Sequence, residues 1–322
     1  MKSKTSSARK ILSGLLMMAM LFLLGVLPHA AQQSKQPAAP AAQKAFDTPD
    51  QAAQALIQAA ESYDVAALLE ILGADGQDLV ASQDPVADRK RATDFAALAR
   101  EKTSVTTGVK SPTRAEVSVG LDEWPLPIPI VKRSGKWYYD TKSGRQEVLL
   151  RRIGEDELDA IQICRGFVEA QREYALEKHD DANVHQYAQR IISTPGKQDG
   201  LAWQNPDGSW GGPVGEQVAR ALQQGYTVNN PPYHGYYFKV LKGQGPAAQL
   251  GQMDFVVNGV MIGGFALAAA PAQYRVTGVK TFIVSHDGIV YEKDLGPNST
   301  AALQNLDRFN PDKSWRRTED EW

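Results

Sequence analysis

Glu292 and Asp294 alternate with Tyr291, Lys293 and Leu295, so on a strand their carboxyls share one face, with Asp287 a few residues before them. Two carboxyls that close, if buried, have pKa values pushed apart, which is what a general acid and its partner base require. Glu292 and Asp294 are therefore the candidate catalytic pair of a carboxylate-dependent hydrolase. The plainer account is a solvated outer strand face. His179 and His185 stand six apart with Asp180 and Asp181 between them. They could share a metal, but a solvated helix end fits the spacing as well, and that is how we read them. Cys164 is the only cysteine and lies in the apolar stretch LDAIQICRGFV, which reads as a buried structural thiol and leaves no intrachain disulfide to form. There is no HExxH, no Gly-x-Ser-x-Gly elbow, no phosphate-cradling Gly-Lys-Ser/Thr loop and no dinucleotide fingerprint. Neither a metal nor a cofactor is expected.

Aromatic residues are the other source of chemistry. Trp203 and Trp210 flank an Asn-Pro-Asp-Gly turn, and Tyr226, Tyr233, Tyr236, Tyr237 and Phe238 follow, with His234 among them. Alternation puts Tyr236 and Phe238 on one face and Tyr233 and Tyr237 on the other, so some of these rings are core. Those that remain exposed would suit a glycan, a peptide or an envelope protein. Trp203, Trp210, Tyr233, His234 and Tyr236 are the candidate binding residues.

These groups are carried by an alternation of helix and strand signals. Thr48 before Pro49 opens a helix to Glu61, a second runs from Asp64 to Leu72 and stops at Gly73, and a third covers Asp88 to Arg100 with Phe95, Leu98 and Ala99 inward. Strands follow at Ala115 to Gly120, Leu126 to Lys132 and Lys136 to Asp140. Pro125, Pro127 and Pro129 fall on alternate residues, which blanks one lateral edge and marks the middle strand as an edge strand. A polyproline ligand is the rival reading of that segment. Glu155 to Ile192 reads as mostly helical, broken near His179 to Asn183, with Val184, Tyr187, Ala188 and Ile191 on a later apolar stripe. A loop-rich stretch and a short helix from Pro213 to Gln224 lead into a glycine-rich β-meander from Tyr233 to Asp294. Its last hairpin turns at His286-Asp287-Gly288, the Asp-Gly pair supplying positive φ angles. The tail after Asn305 reads as an irregular covering segment.

The N-terminus bears Lys2, Lys4, Arg9 and Lys10, then an apolar run from Ile11 to Leu27, the profile of a secretory signal cleaved after Ala30 or Ala31. Contact with a membrane is expected only if that segment stays uncleaved. Without it, 31 basic and 37 acidic residues leave a formal charge of −6, which argues against nucleic acid as a partner and against adhesion to anionic lipid. The Pro- and Ala-rich residues 32–45 form a tether, and about 275 residues remain for two domains of ordinary size.

Blocks such as WPLPIPIVKRSGKWYYD, YAQRIISTPGKQDGLAW, PPYHGYYFKVLKGQG, NGVMIGGFALAAAPAQY and TFIVSHDGIVYEKDLG resemble the exported bacterial proteins of domain-of-unknown-function family 2950 from about Phe46 onward. That resemblance implies export and brings no catalytic residues with it. More distantly, residues 46–153 resemble NTF2-like domains and residues 154–322 the globular part of pilin-like proteins, although the long helix here lies inside the chain and carries Arg165, Arg172 and Glu173. The expected fold is α+β: helices with a curved antiparallel sheet, then a long helix packed on a β-meander. The expected function is that of an exported periplasmic or secreted protein working through binding or assembly. Alternatives are the hydrolase above and a small-ligand carrier with an apolar cone lined by Leu126, Ile128, Ile130 and Trp137.

Overall fold

Caps set the first helices. In the computed structural model, which describes residues 43–108, 111–180, 182–227 and 232–319, the Thr48 side chain accepts from Gln51 N at the start of α1 (Pro49–Ser62). Asp64 caps α2 (Val65–Leu72), which stops at Gly73 as expected. The signal segment and most of the tether lie outside the described residues. An unanticipated turn of helix, α3 (Gln77–Val80), precedes α4 (Pro85–Glu101). α4 begins before the expected Asp88 because Asp84 accepts from Ala87 N and Pro85 occupies the first turn, the arrangement that favours helix initiation. Leu98 points outward at 39% exposure, contrary to the expected inward face, while Ala99 is buried.

The first sheet contains β1 (Thr103–Gly108), β2 (Ser111–Val119), β3 (Trp124–Pro125), β4 (Ile130–Arg133) and β5 (Lys136–Tyr139) in the order β1-β2-β4-β5, with β3 also on β2 and all pairs antiparallel. β1, a Thr- and Val-rich segment, was not anticipated. The proline-rich segment corrects the edge-strand expectation. Pairing lapses between Pro125 and Ile130, and β4 then lies inside the sheet between β2 and β5. Leu126 N still donates to Val117 O at 2.8 Å, so its amide does pair away from the blanked edge. Ile128, Ile130 and Trp137 belong to a packed core with Phe46, Leu56, Ile71 and Tyr139, so the carrier's proposed lining is occupied as core.

α5 (Thr141–Tyr174) starts well before the expected Glu155. Thr141 Oγ1 donates to Leu72 O at 2.7 Å, and Gly144 lies so close to the Pro127 carbonyl that a side chain would collide with it. Past Tyr174 the helical expectation fails. Gln171, fully buried, donates from Nε2 to Ala188 O and accepts from Ala188 N, each at 2.8 Å, which holds residues 184–189 non-helical. The chain continues into β6 (Arg190–Ile192), parallel to β7 (Gly200–Gln204), which forms a hairpin with β8 (Trp210–Gly211) in the stretch expected to be loop. α6 (Gly215–Gln224) ends at Gly225 as expected.

The meander is present with a long excursion in it. β9 (Tyr236–Leu241) is followed by two small ribbons, β10 (Gly243–Gln244) with β11 (Met253–Asp254) and β12 (Val256–Val257) with β13 (Val260–Met261). Then come β14 (Ala266–Pro271), β15 (Lys280–Ser285), β16 (Val290–Asp294), α7 (Ser299–Asn305) and β17 (Arg316–Arg317). The sheet order is β17-β16-β15-β14-β9, antiparallel throughout. β14 is buried along its whole length, and its alanines let α5 and α7 pack close. Only Gly288 in the last hairpin turn has positive φ. Asp287 instead accepts from Ile289 N and Ser285 Oγ through its carboxylate, an Asx-type turn. The tail covers the sheet end, with Phe309 buried and bonded to Gly243 and Gly245.

The fold is thus α+β, as expected. A first core lies among α1, α2, α4 and the first sheet, and a second around Phe167, Phe265, Phe282 and Ile283. α5 runs unbroken from one to the other. Among the described residues no helix is long and apolar enough to cross a membrane.

Candidate functional site

Where the two cores meet, four residues make a tight turn. Tyr233 N donates to Tyr236 O at 2.8 Å and Tyr236 N to Tyr233 O at 3.1 Å, with His234 at φ 49° and Gly235 at φ 74° between them. Two consecutive positive φ angles are the type I′ pattern, in which the first position favours Asn, Asp or Gly. His234 takes the first of them, in the left-handed region that histidine enters more readily than most non-glycine residues.

His234 Nδ1 lies 2.5 Å from Asp159 Oδ2 on α5, and both side chains remain about a third exposed, at 37% and 34%. Nδ1 donating to a carboxylate fixes the ring orientation and turns Nε2 outward as the working atom. Nε2 has no hydrogen-bond partner among the described residues. Tyr233 packs against His234 with ring centroids 4.4 Å apart, and the buried Tyr226 backs Tyr233 at 4.9 Å. Burial raises the pKa of both tyrosines, so each stays a neutral hydroxyl. The surface is a shelf bearing one aromatic ring, one imidazole and one carboxylate.

Beneath the shelf lies a charged layer built by two helices. Asp84, Asp88 and Arg91 fall at i, i+4 and i+7 along the α4 segment, and Arg152, Asp156 and Asp159 at the same intervals along α5, so each trio occupies one face. Arg91 is ion-paired to Asp156 and lies 3.4 Å from Glu155 and 4.0 Å from Asp88. Arg152 donates to Asp78 O and Leu79 O at 2.7 and 2.6 Å. Asp84 Oδ2 accepts from Tyr226 OH at 3.2 Å and from Gly235 N at 2.9 Å, which ties the turn to α4. Burial raises the Asp88 pKa and pushes that of Asp156 up to about 7, the latter against the pull of Arg91. Burial also lowers Arg152, whereas for Arg91 the neighbouring carboxylates outweigh burial and raise it.

A family match spans this whole arrangement. The family described as "Protein of unknown function (DUF2950)" covers residues 43–318, from before α1 to past β17. The chain belongs to the DUF2950 family. No curated protein and no solved structure matches it.

The other residues singled out in this DUF2950 chain occupy separate places. Tyr236 is fully buried, its hydroxyl donating to Lys280 O at 2.9 Å, so it belongs to the core and not to the shelf. Trp203 is half-buried on β7 with the His179 ring as neighbour at 5.4 Å, and Trp210 is half-buried on β8 opposite Gln204. Glu292 on β16 sits 3.5 Å from Lys280 and 3.3 Å from Arg316. The exposed Asp294 accepts from Tyr274 OH at 3.0 Å and Gly296 N at 2.7 Å. Each carboxyl therefore has its own structural partners.

His179 corrects the solvated-helix-end reading. It is buried and stacked on Tyr174 at 3.9 Å, with Nε2 2.9 Å from Tyr174 O and Nδ1 3.2 Å from Gln198 Oε1. His185 instead places Nδ1 2.9 Å from Ala175 O. No group of three or more His, Cys, Asp or Glu able to hold a metal occurs among the described residues. Cys164 is buried, which pushes its thiol up to about 12. A shallow cleft of about 220 Å³ between Gln43, Asp75 and Lys142 lies away from the shelf.

Sequence reasoning found Tyr233 and His234 but missed Asp84, Asp88, Arg91, Arg152, Asp156 and Asp159. The signal was present: charged residues at 4- and 3-residue intervals where a core-facing helix would carry apolar ones.

Proposed function

We propose that this protein is an exported, non-catalytic binding protein of the cell envelope, and that the Tyr233–Tyr236 turn is its recognition element for an envelope glycan or peptide. The observation that carries this reading is His234. It is held in a left-handed turn position, its ring is pinned by Asp159, and its Nε2 has no hydrogen-bond partner among the described residues. An aromatic ring beside a carboxylate and an oriented imidazole offers stacking together with hydrogen bonds to hydroxyl or amide groups. The resemblance of the two halves to NTF2-like and pilin-like modules supports a scaffold role by analogy alone.

Export predicts that the protein recovered from the periplasm or medium begins at Ala31 or Gln32, which N-terminal sequencing reads directly; a chain retaining Met1 in the membrane fraction would contradict it. Binding predicts that the immobilised protein retains muropeptides released from peptidoglycan by a muramidase, and that a Tyr233→Ala, His234→Asn double variant loses them. Equal retention by both proteins would contradict the assignment.

The Asp159–His234 contact also favours a second reading, in which Nε2 acts as a general base on a bound water. Cleavage of the muropeptides on incubation, lost in His234→Asn, would replace the binding account with a hydrolase.

A further inference from the structure

Gly235 lies between two buried carboxyls. Its N–H donates to Asp84 Oδ2 at 2.9 Å on one side. On the other, a Cβ built on it would stand 2.5 Å from Asp156 Oδ2 and 2.9 Å from Thr277 Cβ. Both carboxyl residues are 1% exposed. Asp156 Oδ1 is spent on Arg91, whereas Oδ2 has no hydrogen-bond partner and is sealed from solvent. A buried carboxylate oxygen without a hydrogen-bond partner from the protein is costly, and a proton on it removes the charge that makes it so.

We propose that Asp156 is a proton-operated latch for the Tyr233–Tyr236 turn: neutral, it lets the turn seat against α5, and ionised, it loosens the turn and with it His234.

The charges that face Asp156 argue for this. α4 contributes Asp84 and Arg91, α5 contributes Arg152 and Glu155, and β9 contributes the Tyr236 hydroxyl, with Asp88 beyond the two arginines and Asp159, His234, Tyr233 and Tyr226 on the side of the turn. Three buried carboxyls, Asp84, Asp88 and Asp156, thus face two guanidiniums. Arg152 is bonded to the carbonyls of α3 and lies 4.0 Å from Asp88, and Arg91 is shared among Asp156, Glu155 and Asp88. One proton relieves the excess, and Oδ2 is the bare position that can take it. Burial and the neighbouring Glu155 and Asp84 charges favour the neutral acid, while Arg91 and, less strongly, Arg152 oppose it.

The sign follows from linkage. The folded-state value is raised from 3.8 to about 7, so the folded protein holds a proton that the unfolded chain has released between those limits. The stability this proton confers is complete below about 4 and is lost as pH rises through about 7. The latch concerns the turn that Proposed function assigns to ligand contact, but its test needs no ligand.

The experiment is amide hydrogen exchange at Gly235 on the full chain between pH 5 and pH 9, corrected for intrinsic rates. Protection is expected to fall by about tenfold or more across neutrality, the equivalent of one pKa unit. In Asp156→Asn, which is neutral at every pH, protection should stay flat. Pairing that variant with carboxyl carbon NMR of the wild type keeps the test decisive if the variant does not fold: Asp156 should titrate near neutrality, and a midpoint below 5 would overturn the latch. Protection of Gly235 that is independent of pH in the wild type, or equally dependent in Asp156→Asn, would overturn it too. Muropeptide retention that weakens above pH 8 would tie the latch to binding. A pH-sensitive turn with no muropeptide binding at any pH would instead leave the latch standing and remove the binding assignment.

Discussion

At the scale of single residues, His234 and Gly235 do different work within one turn. Asparagine is among the residues that best tolerate the left-handed conformation, so His234→Asn exchanges one hydrogen bond to Asp159 for an easier backbone. Its unfolding free energy should stay within about 2 kcal/mol of the wild type, since a part-buried hydrogen bond to a carboxylate contributes about 1.5–3 kcal/mol and the easier backbone offsets part of that. Urea unfolding checks this, and a much larger loss would mean that His234 is chiefly structural. Gly235→Ala has no such compensation. It meets positive φ and two buried neighbours together, and should cost about 2–3 kcal/mol in the same assay. His234 was legible in the sequence because it stands among aromatics. Its partner Asp159 was not, because it lies 75 residues away in the chain, on a different element.

At the scale of elements, α5 does most of the positioning, and its two ends were read unequally. The stretch from Leu158 to Val168 shows helical periodicity, but the start at Thr141 depends on Leu72 and Pro127, tertiary partners that no local pattern announces. Residues 184–189 carry a helix-like apolar spacing and are nonetheless non-helical, because Gln171 supplies both backbone partners of Ala188. Gln171→Leu would leave a buried N–H and a buried C=O unsatisfied and should cost about 2–5 kcal/mol, read as a lowered denaturation midpoint. A loss below about 1 kcal/mol would show that the segment is held by its other contacts. Gly154 and Gly166 are helix-interior glycines with nothing within 4 Å of a built Cβ. Each replacement by alanine should therefore stabilise α5 by about 0.5–1 kcal/mol. The prolines of the first sheet were correctly read as limiting pairing on one edge. They were misread as defining a whole edge strand, because a strand can lapse between Pro125 and Ile130 and resume inside the sheet.

At the scale of the whole molecule, two apolar cores share one helix, and the contact between them includes a charged layer. Asp84 joins the halves through single atoms: Oδ1 caps α4, and Oδ2 holds Tyr226 OH and Gly235 N. Asp84→Ala removes a cap and the single acceptor of two buried hydrogen bonds at once, and should cost about 3 kcal/mol. The α+β class, the meander and the covering tail were legible because they follow from periodicity and turn residues. Asp159 and the charged layer beneath the shelf were not, since they come from α4 and α5, far from the turn in the chain. The most direct test of the shelf's role is an amide NMR titration of the mature protein with muramidase-released muropeptides at pH 6. The account predicts saturable shifts centred on Tyr233, His234 and Asp159, absent in His234→Asn. Shifts that instead centre on Glu292 and Asp294, or that persist unchanged in the variant, would contradict it.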